Sequence, residues 1–511
     1  MKKNSFFKWS LATLAALALL WLVFSVYRQG QPLWALGLLT LGGLGLYVYV
    51  SARTLAWRYL FPGVAAMLVF VAFPLLYTMQ IGFTNYSSSN LLSQQRARGY
   101  LLDQAEVDEA QALQFSMHRD GTQWRLLLTP SDAAGSKVRF VSPPVALNDA
   151  TTAPLIAMQV LPPDAPDLGE ALPLKQVLAQ RDALRALKLS LPDQRQLIYS
   201  GVREFAPFDP VWQALPDGSL TQRATGNVFR PNTDTGFFED AQGQRLQPGF
   251  KVNVGWHNYV RIFGDPDMRG PFVSIFIWTV AFAALTVLFS TAIGMTLAVV
   301  LNWEALRFRT LYRTLLFLPY AVPGFISILV FKGLFNQNFG EINAVLNALF
   351  GIKPAWFADA TLARSMILIV NTWLGYPYIM VICTGLIKAI PGDLYEASAI
   401  AGAGPLTNFW RITAPLIARP LTPLLISAFA FNFNNFVLIS LLTDGRPDYL
   451  NTKLPAGTTD ILVSYTYRIA FTDAGANFGL AAAISTVIFF LVALLSIVNL
   501  KFTRTQGNTN R

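Results

Sequence analysis

The chain has 511 residues, of which 53% are apolar and only 13% charged, which excludes an ordinary soluble protein of this length. Its net charge of +10 would suit nucleic acid, but residues 84–270 hold 18 Lys/Arg against 20 Asp/Glu, and the remainder holds 21 against 9. The surplus therefore flanks apolar runs, and nucleic-acid binding is excluded as its reason. A single cysteine, Cys383, allows no internal disulfide.

Apolar runs long enough to cross a bilayer fall near 10–27, 33–50, 59–82, 273–301, 314–335, 365–387, 421–442 and 478–500. The expected fold class is an all-α polytopic membrane protein of about eight transmembrane helices with one large inserted, mostly-β extracytoplasmic domain. The first run follows Lys2, Lys3 and Lys8 as a signal peptide would. It continues VFSVYRQG without a small-x-small cleavage site, so it reads as an uncleaved anchor. With the N-terminus inside, 14 of the 21 basic residues outside the insert share one side, among them Arg307, Arg309, Arg313, Lys388 and Arg411. This asymmetry predicts cytoplasmic termini and an outward-facing insert. The division is three N-terminal spans in 1–83, the insert in 84–270 and a five-span core in 271–511.

The insert is long enough for its own core. Residues 101–113 and 169–187 are predicted helical. Alternating runs at 123–128, 137–141, 187–191 and 250–254 are predicted strands, with Asp217-Gly218 as a hairpin turn. In the fifth span, FLPYAVPGFIS places Pro319, Pro323 and Gly324 where two helix hydrogen bonds are lost, so a kink is predicted, and with it a candidate gate.

No Asp or Glu lies near the middle of an expected span, and neither histidine falls in one. That argues against a proton-coupled secondary transporter; the alternative reading is a self-sufficient secondary sugar transporter or channel. On the sixth span Asn371, Leu374, Gly375 and Tyr378 fall at i, i+3, i+4 and i+7, sharing one helical face beside Pro377. On the seventh, Ala428, Phe431, Asn432 and Asn435 repeat that spacing, whereas Asn434 lies off the face. Asn amides both donate to and accept from hydroxyls, and flat rings cover apolar C–H patches, so a neutral hydroxyl-rich ligand fits. Interhelical glue fits the same residues equally well.

Between these spans, residues 391–415 read PGDLYEASAIAGAGPLTNFWRITAP. Asp393 with Glu396 has capping-box spacing and predicts a helix from Leu394. Gly402, Gly404 and Pro405 end it after about two turns and open a second short helix towards Pro415.

The segment is similar to the EAA signature of permease subunits in binding-protein-dependent ABC importers, matching at Glu396, Ala397, Gly402, Ala403, Ile412 and Pro415. Ser398 replaces the usual second Ala, Ala401 a frequent Asp, and Ala414 the usual Leu. The large insert, the span count and the stretches NTWLGYPY and FAFNFNNF extend the resemblance over nearly the whole chain, to the larger permease subunits of maltose/maltodextrin importers.

The resemblance implies an inner-membrane subunit that translocates maltose or maltodextrins by alternating access. It implies sugar contacts at Asn371, Leu374, Gly375, Tyr378, Phe431, Asn432 and Asn435, with Ala428 departing from a family Ser. It implies ATPase coupling through Glu396, Ala397, Ser398, Gly402 and Ala403. The implied partners are a second, smaller permease subunit, a cytoplasmic ATPase homodimer and a periplasmic sugar-binding protein, besides membrane lipid. No G-x-x-x-x-G-K-[ST] occurs, and no Cys/His cluster has metal spacing, so no enzymatic site, cofactor or metal is expected in this chain.

Overall fold

The computed structural model describes residues 2–130, 138–146, 155–162, 168–303, 305–450, 452, 454–472 and 476–508, which leaves Lys137 of the predicted 137–141 strand outside the described residues. The chain divides into two compact units, one of Met1–Ser88 with Asn253–Arg511 and one of Ser89–Val252.

In the larger unit the backbone has no water to bond within a bilayer, and the apolar runs close their hydrogen bonds as helices. Six helices among the described residues are long and apolar enough to span: Trp9–Arg28, Pro32–Val50, Trp57–Gly82, Pro266–Asn302, Ala360–Lys388 and Pro405–Phe433. The expected eighth run is the helix Phe478–Asn508. The fourth and sixth spans lie along one another at close range. A Cβ on Gly294 would stand 2.9 Å from the Tyr376 carbonyl oxygen, so only glycine lets the backbones approach there.

The predicted kink in the fifth span is a complete break. Arg309–Leu316 is α-helical, Leu318–Ala321 is a 3-10 turn, and a new helix runs Gly324–Leu334. Pro319 sits in the turn and Pro323 precedes the new helix, each without an N–H to continue the ladder. The seventh span also stops early. Its helix ends at Phe433, and Asn435 caps a separate short helix, Phe436–Leu442, by accepting from the Leu438 N–H at 3.4 Å.

The smaller unit is β-rich, as the alternating runs predict. Strands β1 (Ala105–Val107), β2 (Leu113–Asp120), β3 (Gln123–Pro130), β4 (Arg139–Val141), β5 (Leu155–Ala157), β6 (Gln159–Leu161), β7 (Lys188–Ser190), β8 (Gln196–Gly201) and β9 (Glu204–Pro210) form one sheet. Its order is β5-β7-β8-β9-β2-β3-β4-β6, with β1 beside β9. Met117, Leu126, Leu128 and Phe205 alternate inward from it to build a core. Strands β10 (Trp212–Ala214), β11 (Leu220–Gln222), β12 (Val228–Asn232) and β13 (Phe237–Glu239) form a second sheet over Trp212, Phe229 and Phe238. The Asp217-Gly218 turn joins β10 to β11, as expected.

Two expectations fail here. Residues 101–113 are not a helix: Ser93 caps an earlier one, Gln94–Leu102, and the chain then pairs into β1 and β2. Burial of Phe115 and Met117 at strand spacing outweighs local propensity. Residues 250–254 make only isolated bridges, from Phe250 to Leu92 and from Asn253 to Thr84, because those neighbours are loop segments. The predicted 169–187 helix is present as two pieces, Leu174–Ala179 and Arg181–Ala186.

Candidate functional site

The two polar faces read from the sixth and seventh spans meet. Asn371, Leu374, Gly375 and Tyr378 line a cavity of about 850 Å³ opposite Ala428, Phe431, Asn432 and Asn435. Asn371 is buried at its centre, where its Nδ2 donates to Asn432 Oδ1 at 2.7 Å and to Thr286 Oγ1 at 3.2 Å. Its Oδ1 accepts from Asn435 Nδ2 at 3.3 Å. Asn432 Nδ2 donates to the Ala428 carbonyl at 2.8 Å, so residue 428 contributes its backbone to the site.

The cluster therefore joins two spans and also faces open space. Tyr378 is 42% exposed and Phe431 70%, so neither aromatic residue is fully covered by this chain. Among the described residues, no Asp, Glu, Lys, Arg or His lines the cavity. An uncharged lining desolvates at little cost and favours an uncharged, hydrogen-bonding ligand.

Pro319, Pro323 and Gly324 line the same cavity, so the break in the fifth span borders the space between the polar faces. Asn434 also lines it, against expectation, because the helix has ended and the wheel no longer describes its direction. Asn435 reaches the cavity by the same break rather than along a continuous face. Sequence reasoning missed Tyr320, Thr286 and Ser290. Tyr320 lies between the two prolines, and Thr286 and Ser290 are hydroxyls at i and i+4 in an apolar helix, a spacing that was available to be read.

The 391–415 segment forms a second, rigid element. Its first helix is Asp393–Ile400, capped from Gly392 without a side-chain bond, so the predicted capping box is absent. The Gly392 carbonyl already accepts from Glu396, which puts Asp393 inside the first turn, where its charge faces the helix's positive end. The helix closes as a Schellman motif: Ala403 N–H donates to Ser398 O and Gly402 N–H to Ala399 O, both at 3.0 Å. Gly402 has φ +71°, a conformation that favours glycine.

Pro405 opens the next helix, but this helix does not stop near Pro415. A wider π turn at Phe409–Thr413 absorbs the missing donor, and the helix continues to Phe433 as the seventh span. Ser398 Oγ donates to Asn408 Oδ1, and Tyr395 pairs with Thr413 at 2.9 Å, fixing the short helix to the base of that span. Glu396, Ala397, Ile400 and Leu406 are exposed on it, while Ser398 and Ala403 are half-buried. The element is thereby joined to the helix that bears Phe431 and Asn432.

Comparison with known proteins gives three matching families. Residues 6–53 match the MalF N-terminal region of transmembrane helices, 92–255 the MalF P2 domain of maltose transport system permeases, and 290–504 the inner membrane component of binding-protein-dependent transport systems. Among curated relatives, the maltose/maltodextrin transport system permease protein MalF of Photorhabdus laumondii is 51% identical over 513 residues, covering 98% of this chain and 97% of that one. Its counterpart in Klebsiella aerogenes is 50% identical over 503 residues, covering 97% and 96%. That of Escherichia coli K12 is 49% identical over 504 residues, with the same shares.

Proposed function

The chain belongs to the MalF family of binding-protein-dependent importer permeases, and from that premise we propose that maltose or a maltodextrin passes through the cavity between its sixth and seventh spans. As a multi-pass inner-membrane permease subunit of an ABC importer, it does not need the coupling-ion carboxylates of a self-sufficient transporter. The observation that carries the sugar reading is the cavity lining: amides, hydroxyls and open rings, with no Asp, Glu, Lys, Arg or His among the described residues.

Asn371, Asn432 and Asn435 exchange bonds among themselves for bonds to sugar hydroxyls, and Tyr378 and Phe431 cover the pyranose face, with Leu374 and Gly375 shaping the space. The fifth-span break at Pro319, Pro323 and Gly324 serves as a gate. ATP is hydrolysed by a separate cytoplasmic ATPase pair that docks on Glu396, Ala397, Ser398, Gly402 and Ala403. A smaller permease completes the pathway, because one chain offers one docking element. A periplasmic binding protein delivers sugar and is met by the insert. The basic asymmetry supports cytoplasmic termini. Inverting an access equilibrium from 1:99 to 99:1 takes about 5.5 kcal/mol of differential binding, which nucleotide and loaded binding protein together supply.

Uptake of labelled maltose and longer maltodextrins by the reconstituted importer tests the substrate. Uptake of neither sugar would overturn the proposal. Gly402→Arg tests the coupling. A non-glycine residue at φ +71° is strained by about 1–2 kcal/mol, and the arginine also obstructs docking. We expect an inserted subunit, lost uptake and lost sugar-stimulated ATP hydrolysis. Gly402→Asn, which tolerates that backbone, retains more of both. Normal coupled hydrolysis in Gly402→Arg refutes the docking role.

A further inference from the structure

A hydroxyl in an apolar helix ordinarily bonds the carbonyl four residues back, as Thr279 does to Ile275 O at 2.7 Å and Thr384 to Met380 O at 2.7 Å. Ser290, on the fourth span, does not. It is 4% exposed, lines the cavity, and its Oγ has no hydrogen-bond partner. A buried hydroxyl left unpaired is costly and calls for a partner.

Its nearest constraint is Gly375 on the sixth span, where a Cβ would stand 2.7 Å from Ser290 Oγ. The missing side chain at 375 is what keeps room at the serine hydroxyl. One turn earlier, Thr286 Oγ1 accepts from Asn371 Nδ2 at 3.2 Å. That bond, with the one to Asn432, aims the amide at the cluster's centre.

We propose that the fourth span forms a third wall of the site, in which Ser290 hydrogen-bonds a hydroxyl of the transported sugar and Thr286 is a positioning residue for Asn371. This rests on the reading of the cavity as a sugar site. It gives Gly375 a specific task, that of placing no side chain against Ser290 Oγ, and makes Ser290 a determinant of which hydroxyl pattern is accepted.

The test uses the whole importer reconstituted in vesicles, with maltose and a set of its monodeoxy analogues. Ser290→Ala should lower kcat/KM for maltose about fivefold with unchanged complex yield. It should also be silent for the one analogue that lacks the paired hydroxyl, and Ser290→Thr should recover most of the loss. Thr286→Val should lower uptake less than additively with Asn371→Ala. An equal loss on every analogue, or no loss on maltose, overturns the role of Ser290 while Asn432→Ala still impairs uptake. If Asn432→Ala also leaves uptake intact, the sugar reading of the cavity falls, and this inference with it.

Discussion

Two buried polar clusters of the larger unit differ in charge and in closure. In the loop after the seventh span, Asp460 is fully buried and accepts from Gly457 N–H, Ser464 Oγ and Arg468 Nη1, each at 2.8 Å. Arg468 Nη2 donates to Asp448 Oδ1 at 2.7 Å. Both Nη groups of Arg468 have a carboxylate acceptor, and none of these residues lines the cavity. The Asn371 cluster is neutral, its longest bond is 3.3 Å, and it borders open space. A buried ion that loses its partner is stranded at high cost, so the charged cluster suits a loop that keeps one shape. A neutral amide can trade partners cheaply, so the Asn cluster suits a surface that takes up and releases a ligand each cycle.

Burial pushes the Asp460 carboxyl up to about 6 from its usual 3.8, while Arg468, Ser464 and the Gly457 N–H pull against that rise. Between those values the folded chain holds a proton that the unfolded chain has released, so this group's stabilisation is lost as pH rises through about 6. At neutral pH the pair therefore specifies geometry and adds little net stability.

Breaking the pair is expected to have the largest effect. Arg468→Leu leaves a buried carboxylate unpaired and should cost about 3–5 kcal/mol. Complex yield and thermal stability should fall with or without sugar. The defect should be worse at pH 8 than at pH 5, because protonation relieves the stranded charge. Normal yield for this variant at pH 8 would remove the contrast between the clusters.

Asn371→Ala and Asn432→Ala come next, at about 1–3 kcal/mol each in transport. Yield should hold, and Tyr378→Leu should have a smaller effect of the same kind. The binding protein's own affinity for sugar should be unchanged, since that site is on another chain. Should yield collapse in step with uptake, these residues are packing glue and the two clusters are alike.

The two clusters were not equally legible in the sequence. Asn371 and Tyr378 lie within one unbroken helix, so 3.6-residue spacing placed them correctly. Asn434 and Asn435 lie past the helix end, where the same rule misplaced one and reached the other for the wrong reason. Asp460, Ser464 and Arg468 fall at i, i+4 and i+8 along one helix and its entry, a spacing that was readable, whereas Asp448 lies further back, a juxtaposition that no local period encodes. Thr286 and Ser290 were missed differently: their i, i+4 spacing was readable, but two hydroxyls in a long apolar helix look like ordinary back-bonding residues until one is found without its bond. The 391–415 segment shows both outcomes. Gly402 was read correctly because one backbone conformation favours glycine, while the capping box failed because the chain entered its helix one residue early.

A charged cluster at the surface provides the mildest test of whether charge or closure matters more. In the insert, Glu239 on β13 accepts from Asn232 Nδ2, Thr235 Oγ1 and Arg245 Nε, each at 2.8 Å. Partial burial would raise its carboxyl, but the bonds from Thr235, Asn232 and Arg245 outweigh it and hold the group below its usual 4.5. The sign is opposite to that of Asp460. The stabilisation is present above the usual value and is lost as pH falls through the lowered one. Water can replace any lost partner here, so Glu239→Gln should cost only about 1 kcal/mol. In hydrogen exchange on the full chain, that loss should appear at β12 and β13 and leave the Asn371 region unchanged. Wild-type protection of those strands should fall below pH 4.5 toward the variant's level, while the variant stays flat. Equal acid sensitivity in both proteins would show that Glu239 contributes shape alone, and that charge without enclosure has little effect on this fold.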